Sequence, residues 1–333
     1  MAEQSKIEWT DATWNPITGC SVVSPGCTNC YAMRLAGTRL RNHPSRIGLT
    51  TDTKAGPVWT GEVRLNEDWL DQPLRWKRPR RIFVCAHGDL FHEGVTDDDI
   101  ALIFGNAIAA VHLHGHTFQV LTKRSRRMRN LLTDVGFWDV VNSVATAEVM
   151  DRTDPLDRRR NDARATLDDY GPDNPAPGLW LGVSTEDQAR ADERVPDLLA
   201  TPAAVRFASH EPALGPVDWT RIVTTRYLSG DRNAIGVGEA ADQVAGCINS
   251  LNGRYMAAVE PGESLCFTGD CGPRLDWIIT GGESGKGARP MNELWARQDR
   301  DQCAAAGVPF FMKQMSKKTA IPGDLMVREW PNA

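Results

Sequence analysis

The sequence predicts an α/β fold, namely a partial (β/α) barrel of about six parallel strands with loop insertions. Six short runs rich in apolar and β-branched residues recur along the chain of 333 residues, and helical patterns lie between several of them. Nearly continuous apolar strands that alternate with amphipathic helices are typical of parallel sheets covered on both faces. Polar residues follow these runs, at the sheet edge where parallel α/β folds bind ligands.

Each predicted strand ends in a polar or glycine-containing turn. In chain order they are RIFVCAHGD (81–89), TFQVLTKR (117–124), LWLGVSTE (179–186), AVRFASHEP (204–212), DWIITGGESG (276–285) and VPFFMKQ (308–314). The clearest helical patterns are DDDIALIFGNAIAAVHL, between the first two strands, and ELWARQDRDQCAAAG, between the last two. The polar residues expected at the strand ends are Asp89, Lys123, Ser184, Glu186, Glu211 and Glu283.

Two segments interrupt this pattern, and we treat both as insertions into a single domain that spans residues 1–333. Residues 147–178 are charged and end in a linker rich in Pro, Gly and Asn. Residues 221–275 are rich in glycine and contain three cysteines, Cys247, Cys266 and Cys271. Their spacing lacks a CxxC pair, so an iron–sulfur cluster, a zinc site and three unliganded thiols all stay open for this insertion. We expect only one cluster per chain, outside this insertion, which would act as a lid or a substrate-contacting loop.

Composition places limits on location and partners. A net charge of −5 gives no global basic character, so any contact with nucleic acid must come from local patches. The longest apolar stretch is shorter than the roughly 20 residues that a membrane span requires, and the first residues lack a signal-peptide profile. We therefore expect a cytoplasmic protein with no membrane partner, while the oligomeric state is left undetermined.

Three cysteines within eleven positions, Cys20, Cys27 and Cys30, are the strongest chemical feature of the sequence. In a reducing compartment such thiols are more often metal ligands than disulfide partners. One interpretation is a zinc site completed by a distant ligand. The other is a four-iron cluster held by three thiolates, which leaves one iron open to a small molecule.

The loop GCTNCYA with its upstream cysteine resembles the cluster loop of radical S-adenosylmethionine (SAM) enzymes, although the first spacing is six residues instead of the usual three. Tyr31 after the third cysteine, FVCAHGDLF, VLTKR and LWLGVSTE are similar to the spore photoproduct lyase branch of that superfamily. Most of the chain also resembles an uncharacterised phage and bacterial family of radical SAM-like proteins, through DLFHE, LTKR, EPALGPVD and GGESGKGARPM.

These resemblances imply a [4Fe–4S] cluster on Cys20, Cys27 and Cys30, with SAM on its open iron. They imply further that the chain is an enzyme that generates a 5′-deoxyadenosyl radical, and that an external electron donor such as flavodoxin or ferredoxin reduces it. The residues that would bind SAM are Tyr31 and Met33 beside the adenine, Lys123 and Ser184 on the carboxylate or ribose, and Asp89 at the same strand end.

One position departs from the lyase branch. The cysteine that returns hydrogen to the product there corresponds to Ala86, and Cys85 lies one residue earlier. Because successive side chains of a strand point to opposite faces, we expect Cys85 to pack outside the barrel. This departure counts against a simple photoproduct lyase activity.

The substrate is predicted from a basic run and from strand-end acids. The run KRSRRMR leaves the end of a strand, and Arg124, Arg126, Arg127 and Arg129 could bind phosphates there, unless they only form a solvated helix turn. Glu211, Glu283 and His87 are the candidate catalytic residues, with helix capping or ion pairing as the alternative for the two glutamates. We expect a lyase or isomerase that acts on DNA or a nucleotide, most plausibly a thymine-derived base in photoproduct repair or phage DNA modification, in which case the host cytoplasm is its location.

Two other functions compete with this prediction. A radical SAM enzyme could act on a small metabolite or peptide. A zinc-stabilised protein could instead bind nucleic acid without catalysis. The sequence does not identify the substrate atom attacked, nor whether SAM is consumed or regenerated.

Overall fold

The structure is a computed structural model, and it describes residues 5–224, 246–260, 263–266, 272–285 and 287–332. The strands within these ranges are β1 (Ala12–Trp14), β2 (Ile17–Gly19), β3 (Thr50–Thr53), β4 (Gly56–Trp59), β5 (Val63–Leu65), β6 (Arg81–Val84), β7 (Thr117–Thr122), β8 (Leu179–Thr185), β9 (Val205–His210), β10 (Ile222–Thr224), β11 (Gly246–Asn249), β12 (Arg254–Glu260), β13 (Glu263–Cys266), β14 (Trp277–Gly281) and β15 (Phe310–Gln314). The α-helices are α1 (Tyr31–Gly37), α2 (Gln72–Arg75), α3 (Asp97–His114), α4 (Ser125–Leu132), α5 (Val135–Arg152), α6 (Arg158–Leu167), α7 (Gln188–Leu199) and α8 (Glu293–Ala306).

The main sheet has seven strands in the order β1-β6-β7-β8-β9-β14-β15. The registered pairs β1–β6, β6–β7, β9–β14 and β14–β15 are all parallel. The predicted fold class, an α/β partial barrel with loop insertions, is confirmed, and all six predicted strands are present. The seventh strand, β1, is too short to stand out as a run in the sequence.

Local sequence explains where the two predicted helices begin and end. Thr96 precedes α3 and its hydroxyl accepts a hydrogen bond from the N–H of Asp99 at 3.1 Å, while three aspartates occupy the first turn, where the helix dipole favours negative charge. Asn292 caps α8 in the same way, through the N–H of Leu294 at 3.0 Å. Gly115 and Gly307 end the two helices at φ 68° and 66°, a conformation that glycine adopts without strain.

The chain divides into two compact units. The first comprises Met1–Gly182 and Thr201–Ala204, and the second Val183–Ala200 and Val205–Ala333. Aromatic side chains fill both cores, as Trp14 against Phe118 in the first unit and Trp277 between Phe207 and Phe311 in the second. No helix in the described ranges is both long and apolar enough to cross a membrane.

The two predicted insertions contain regular structure. Residues 147–178 include the end of α5 and the whole of α6, which packs on α5 within the first unit. In residues 221–275, the described strands β10 to β13 form an antiparallel sheet in chain order. Cys247 and Cys266 both lie opposite Met256 of the strand between them, whereas Cys271 lies outside the described residues.

Candidate functional site

The three clustered cysteines lie in one loop of the first unit. Cys20 follows β2, Cys27 closes a 3₁₀ turn over Pro25–Cys27, and Cys30 immediately precedes α1. The N–H of Cys30 donates to the carbonyl of Cys27 at 3.2 Å, so this pair shares one tight turn. All three thiols are free, and Cys20 and Cys30 pack against the same small apolar cluster around Ala32 and Ala36. The loop therefore gathers the three thiols in one region.

Burial favours the protonated form of two of these thiols. It raises the pKa of Cys20 to about 12, and the neighbouring Asp89 carboxylate acts in the same direction against Arg124. Burial likewise raises the pKa of Cys30, although the peptide N–H groups of Met33 and Ala32 favour its thiolate. Binding of a metal at these sulfurs must therefore displace protons.

The donor set fits a thiolate-bound iron–sulfur cluster, because three free cysteines occupy one short loop. Within the described ranges, no group of three or more His, Cys, Asp or Glu side chains is arranged to hold a metal ion. A four-iron cluster does not require the three sulfurs to converge on one ion, because each thiolate binds a different iron atom.

The motifs DLFHE and LTKR meet beside this loop. Asp89 Oδ1 accepts a hydrogen bond from the Thr122 hydroxyl at 2.7 Å and from the N–H of Phe91 at 3.0 Å. Its Oδ2 accepts from the N–H of Lys123 at 3.2 Å and from Arg124 Nη1 at 3.0 Å. Asp89, predicted as a SAM-binding residue, is buried and joins the ends of β6 and β7.

Arg124 connects that pair of motifs to the cysteines. Its Nε donates to Glu93 at 2.9 and 3.1 Å, its Nη2 to the Ser21 hydroxyl at 2.6 Å, and its Nη1 reaches Cys20 Sγ at 3.6 Å. His92 Nε2 lies 3.1 Å from the same Ser21 hydroxyl. Arg124, predicted to contact nucleic acid, is only 7% exposed and instead braces the cysteine loop.

The other arginines of the basic run are placed differently. Arg126 is exposed on α4. Arg127 donates to the carbonyls of His92 and Val95 and pairs with Asp97, which ties α4 to the start of α3. Arg129 bonds the side chain of Asn130 at 2.9 Å. Of these four predicted nucleic-acid contacts, Arg126 is the one whose side chain is exposed.

The predicted SAM-binding residues have different surroundings. Tyr31 is 43% exposed, and its hydroxyl donates to the carbonyl of Ala86 at 2.5 Å. Lys123 lies close enough to Cys30 for its charge to favour the thiolate. Met33 is buried in the apolar cluster under the loop, which withdraws its side chain from a ligand. Ser184 belongs to the second unit, where its hydroxyl donates to the carbonyl of Glu211 at 3.2 Å.

His87 has an uncommon environment for a candidate catalytic residue. Arg46 Nη2 lies 2.6 Å from its Nδ1, and the Tyr31 ring packs edge-on at 6.2 Å. Burial and the nearby guanidinium lower the pKa of His87 to about 4. The imidazole is therefore neutral at physiological pH.

Cys85 does not follow the strand alternation from which its position was predicted. Strand β6 ends at Val84, and Cys85 has a φ of 57°, the left-handed region that non-glycine residues seldom occupy. The thiol is buried, and burial together with Asp89 and Cys20 raises its pKa to about 12. Its charge interactions with Asp89 and Cys20 put it near the cysteine loop, so the period-two argument does not apply at this position.

The predicted catalytic glutamates lie in the second unit, each with its own cationic partner. Lys313 Nζ donates to both carboxylate oxygens of Glu211 at 2.6 and 2.7 Å. Arg289 donates to Glu283 through its backbone N–H at 2.8 Å and through its guanidinium. The ion pair between Glu283 and Arg289 therefore links two residues of the motif GGESGKGARPM. Both glutamates are therefore ion-paired in this structure, which was the alternative to a catalytic role in the sequence analysis.

Sequence reasoning missed a buried network in the second unit. His210 Nδ1 lies 2.7 Å from Asp299 Oδ2, and its Nε2 lies 3.0 Å from the carbonyl of Gly215. Trp219 and Thr280 also donate to Asp299, at 2.8 and 2.7 Å. Burial would lower the pKa of His210, but the Asp299 carboxylate outweighs it and raises that pKa. A histidine inside the apolar run AVRFASHEP is the sequence feature that could have indicated it.

A family model described as "Protein of unknown function (DUF5131)" matches residues 4–324. The chain belongs to the DUF5131 family. No curated protein and no solved structure matches the chain. The DUF5131 match covers both the cysteine loop with its motifs and the two glutamate ion pairs of the second unit.

The cysteine loop of this DUF5131 chain brings together the residue types that a thiolate-bound cluster and an anionic or zwitterionic ligand would require. Thiols supply the metal donors, Lys123 supplies a cation beside them, and Tyr31 supplies an exposed aromatic face. Four side chains hold the cysteine loop in place, namely those of Ser21, His92, Glu93 and Arg124. Their role was missed because a basic run and a DLFHE motif do not reveal in sequence that they face each other.

Proposed function

We propose that this chain is a radical SAM enzyme that uses a cysteine-bound [4Fe–4S] cluster and SAM to act on a nucleic-acid base. One observation carries the proposal: three free cysteines share a loop that Arg124 braces through both the DLFHE and the LTKR motif. When bound, the cluster and SAM supply a 5′-deoxyadenosyl radical that can remove hydrogen from an unactivated carbon.

The residues around the loop have separate tasks in this proposal. Cys20, Cys27 and Cys30 would hold the cluster. Lys123 would bind the SAM carboxylate, because a charge-assisted hydrogen bond to an oxyanion is the strongest contact a lysine can make there. Tyr31 would present its exposed ring to the adenine, with its hydroxyl anchored on Ala86. Arg124 would keep Cys20 in place and direct an N–H towards its sulfur.

The exposed Arg126 supports a nucleic-acid substrate. It lies on α4, the helix that begins shortly after Lys123 at the end of strand β7. We propose a thymine-derived base as substrate, with lyase or isomerase chemistry in repair or in phage DNA modification. The reaction would take place in the cytoplasm, with electrons from a donor such as flavodoxin or ferredoxin.

Anaerobic reconstitution of the full chain tests this proposal. We expect about four irons per chain, absorbance near 400 nm, and 5′-deoxyadenosine formed from labelled SAM together with a changed nucleoside in candidate DNA. Cys247→Ala is the matched control for replacement of a loop cysteine such as Cys20. This free cysteine lies in the second unit, so the variant should keep its iron. Zinc in place of iron, with no SAM cleavage, would refute the proposal and favour a non-catalytic nucleic-acid-binding protein.

A further inference from the structure

The Arg124 guanidinium is held in one orientation by three side chains of the first unit. Its Nε donates to the Glu93 carboxylate at 2.9 and 3.1 Å. Its Nη1 donates to Asp89 Oδ2 at 3.0 Å, and its Nη2 donates to the Ser21 hydroxyl at 2.6 Å. A guanidinium is planar and its N–H bonds diverge at fixed angles, so these contacts also fix where the remaining N–H bonds point.

One of the remaining N–H bonds is directed at a cysteine sulfur. Nη1 carries two hydrogens, and besides Asp89 it donates to Cys20 Sγ at 3.6 Å. The Arg124 side chain is 5% exposed, so water competes little for this N–H. Hydrogen bonds are stronger when the acceptor is ionised. The contact with Arg124 is therefore strongest when Cys20 is a thiolate, the form that binds iron.

The position of Cys20 relative to the guanidinium is secured from a second side. Ser21 follows Cys20 directly, and its hydroxyl accepts hydrogen bonds from both Arg124 and His92. His92 Nδ1 accepts from the N–H of Gly94 at 3.0 Å, so the ring proton lies on Nε2, which donates to Ser21 at 3.1 Å. Donors from outside the cysteine loop therefore hold the residue next to Cys20.

Arg124 also separates Cys20 from a buried negative charge. The Asp89 carboxylate is 8% exposed, and it lies close enough to Cys20 to disfavour negative charge on that sulfur. The guanidinium acts in the opposite direction. Because buried charges are screened much less than exposed ones, loss of the cation would leave the full effect of Asp89 on the sulfur.

We propose that Arg124 is a positioning residue that raises the reduction potential of the cluster through its N–H···S hydrogen bond to Cys20. The inference rests on the proposed function, since it requires a cluster on that sulfur. Reduction adds one electron, taken from a reduced low-potential donor, and no bond forms or breaks. Hydrogen bonds to the sulfurs and the local charge are among the factors that set cluster potentials. A cation that donates to a ligand sulfur stabilises the more negative, reduced state more than the oxidised state.

The midpoint potential of the reconstituted full chain tests this role, in a dye-mediated dithionite titration followed by the EPR signal of the reduced cluster. Arg124→Gln should lower the potential by about 59 mV or more, which is a tenfold change in a one-electron equilibrium. Glu93→Gln removes a negative charge beside Arg124 and should raise the potential, by less because Glu93 is 68% exposed. Arg129→Gln is the matched control, because it makes the same change of charge on α4, where Arg129 bonds Asn130, and should leave the potential unchanged.

The opposite signs distinguish this role from simple bracing of the loop, because a loosened loop gives no reason for the two variants to shift in opposite directions. An unchanged potential in iron-loaded Arg124→Gln, or a fall in Glu93→Gln, overturns the inference. If Arg124→Gln does not retain iron, Glu93→Gln decides, and the absence of a rise refutes the role of Arg124. A wild-type chain that takes up no four-iron cluster refutes the proposed function instead, so the two failures are distinguishable.

Discussion

Replacing Asp89 by Asn should destabilise the first unit strongly, because Asp89 is the buried centre of the two motifs. The carboxylate accepts four hydrogen bonds, two on each oxygen, and its side chain is 8% exposed. Asparagine keeps one acceptor oxygen and turns an NH₂ towards either Lys123 N–H and Arg124 or Phe91 N–H and Thr122. Removing one partner of a buried ion pair costs about 3–5 kcal/mol, and we expect a loss of that size.

The matched control is Glu93→Gln, which removes the second carboxylate of Arg124. The Glu93 side chain is 68% exposed, and surface pairs contribute only about 0–1 kcal/mol. Hydrogen exchange read from peptides of β6 and β7 measures the opening free energy of the first unit separately from the second. If Asp89→Asn costs no more than Glu93→Gln, the network does not stabilise these strand ends.

Four further predictions follow from the same structure. Cys20→Ala should abolish iron binding after reconstitution, since two thiolates hold a four-iron cluster poorly, and full iron content would contradict the assignment. Lys123→Ala should weaken SAM binding by about 1.5–3 kcal/mol with the iron content unchanged, measured by calorimetry. Arg126→Ala should reduce DNA affinity and its salt slope by about one ion without altering SAM affinity, and an unchanged slope would remove α4 from the interface. The pKa of His210 is raised in the folded chain, so its pairing with Asp299 stabilises the fold fully below about pH 6.5, and this stabilisation is lost as pH rises through the folded pKa. The urea midpoint of unfolding should therefore fall as pH rises through that range. His210→Gln should lose this pH dependence.

The strands and the two principal helices could be predicted because their apolar periodicity and capping residues are local. Thr96 and Gly115, for example, mark both ends of α3 in the sequence itself. The six predicted strands are correct for the same reason, since each is an apolar run bounded by turn residues.

The positions of individual site residues depended on long-range contacts that periodicity does not contain. Arg124 has the same local context as the exposed Arg126, yet an acid 35 positions earlier draws it into the interior. For Cys85 the strand rule does not apply because β6 ends at Val84, two residues before the apolar run ends at Ala86. Arg46 had no sequence feature at all, since only the fold places it beside His87.

The way in which the three cysteines are held has a consequence for the order of assembly. Cys27 and Cys30 are positioned by bonds within a single turn, which can form early in an isolated segment. Cys20 depends on Arg124, 104 positions away, and so takes its place only after β6 and β7 have paired. We therefore expect nascent chains to position two of the three thiols first, and the proposed cluster to assemble only on chains that have completed this part of the sheet.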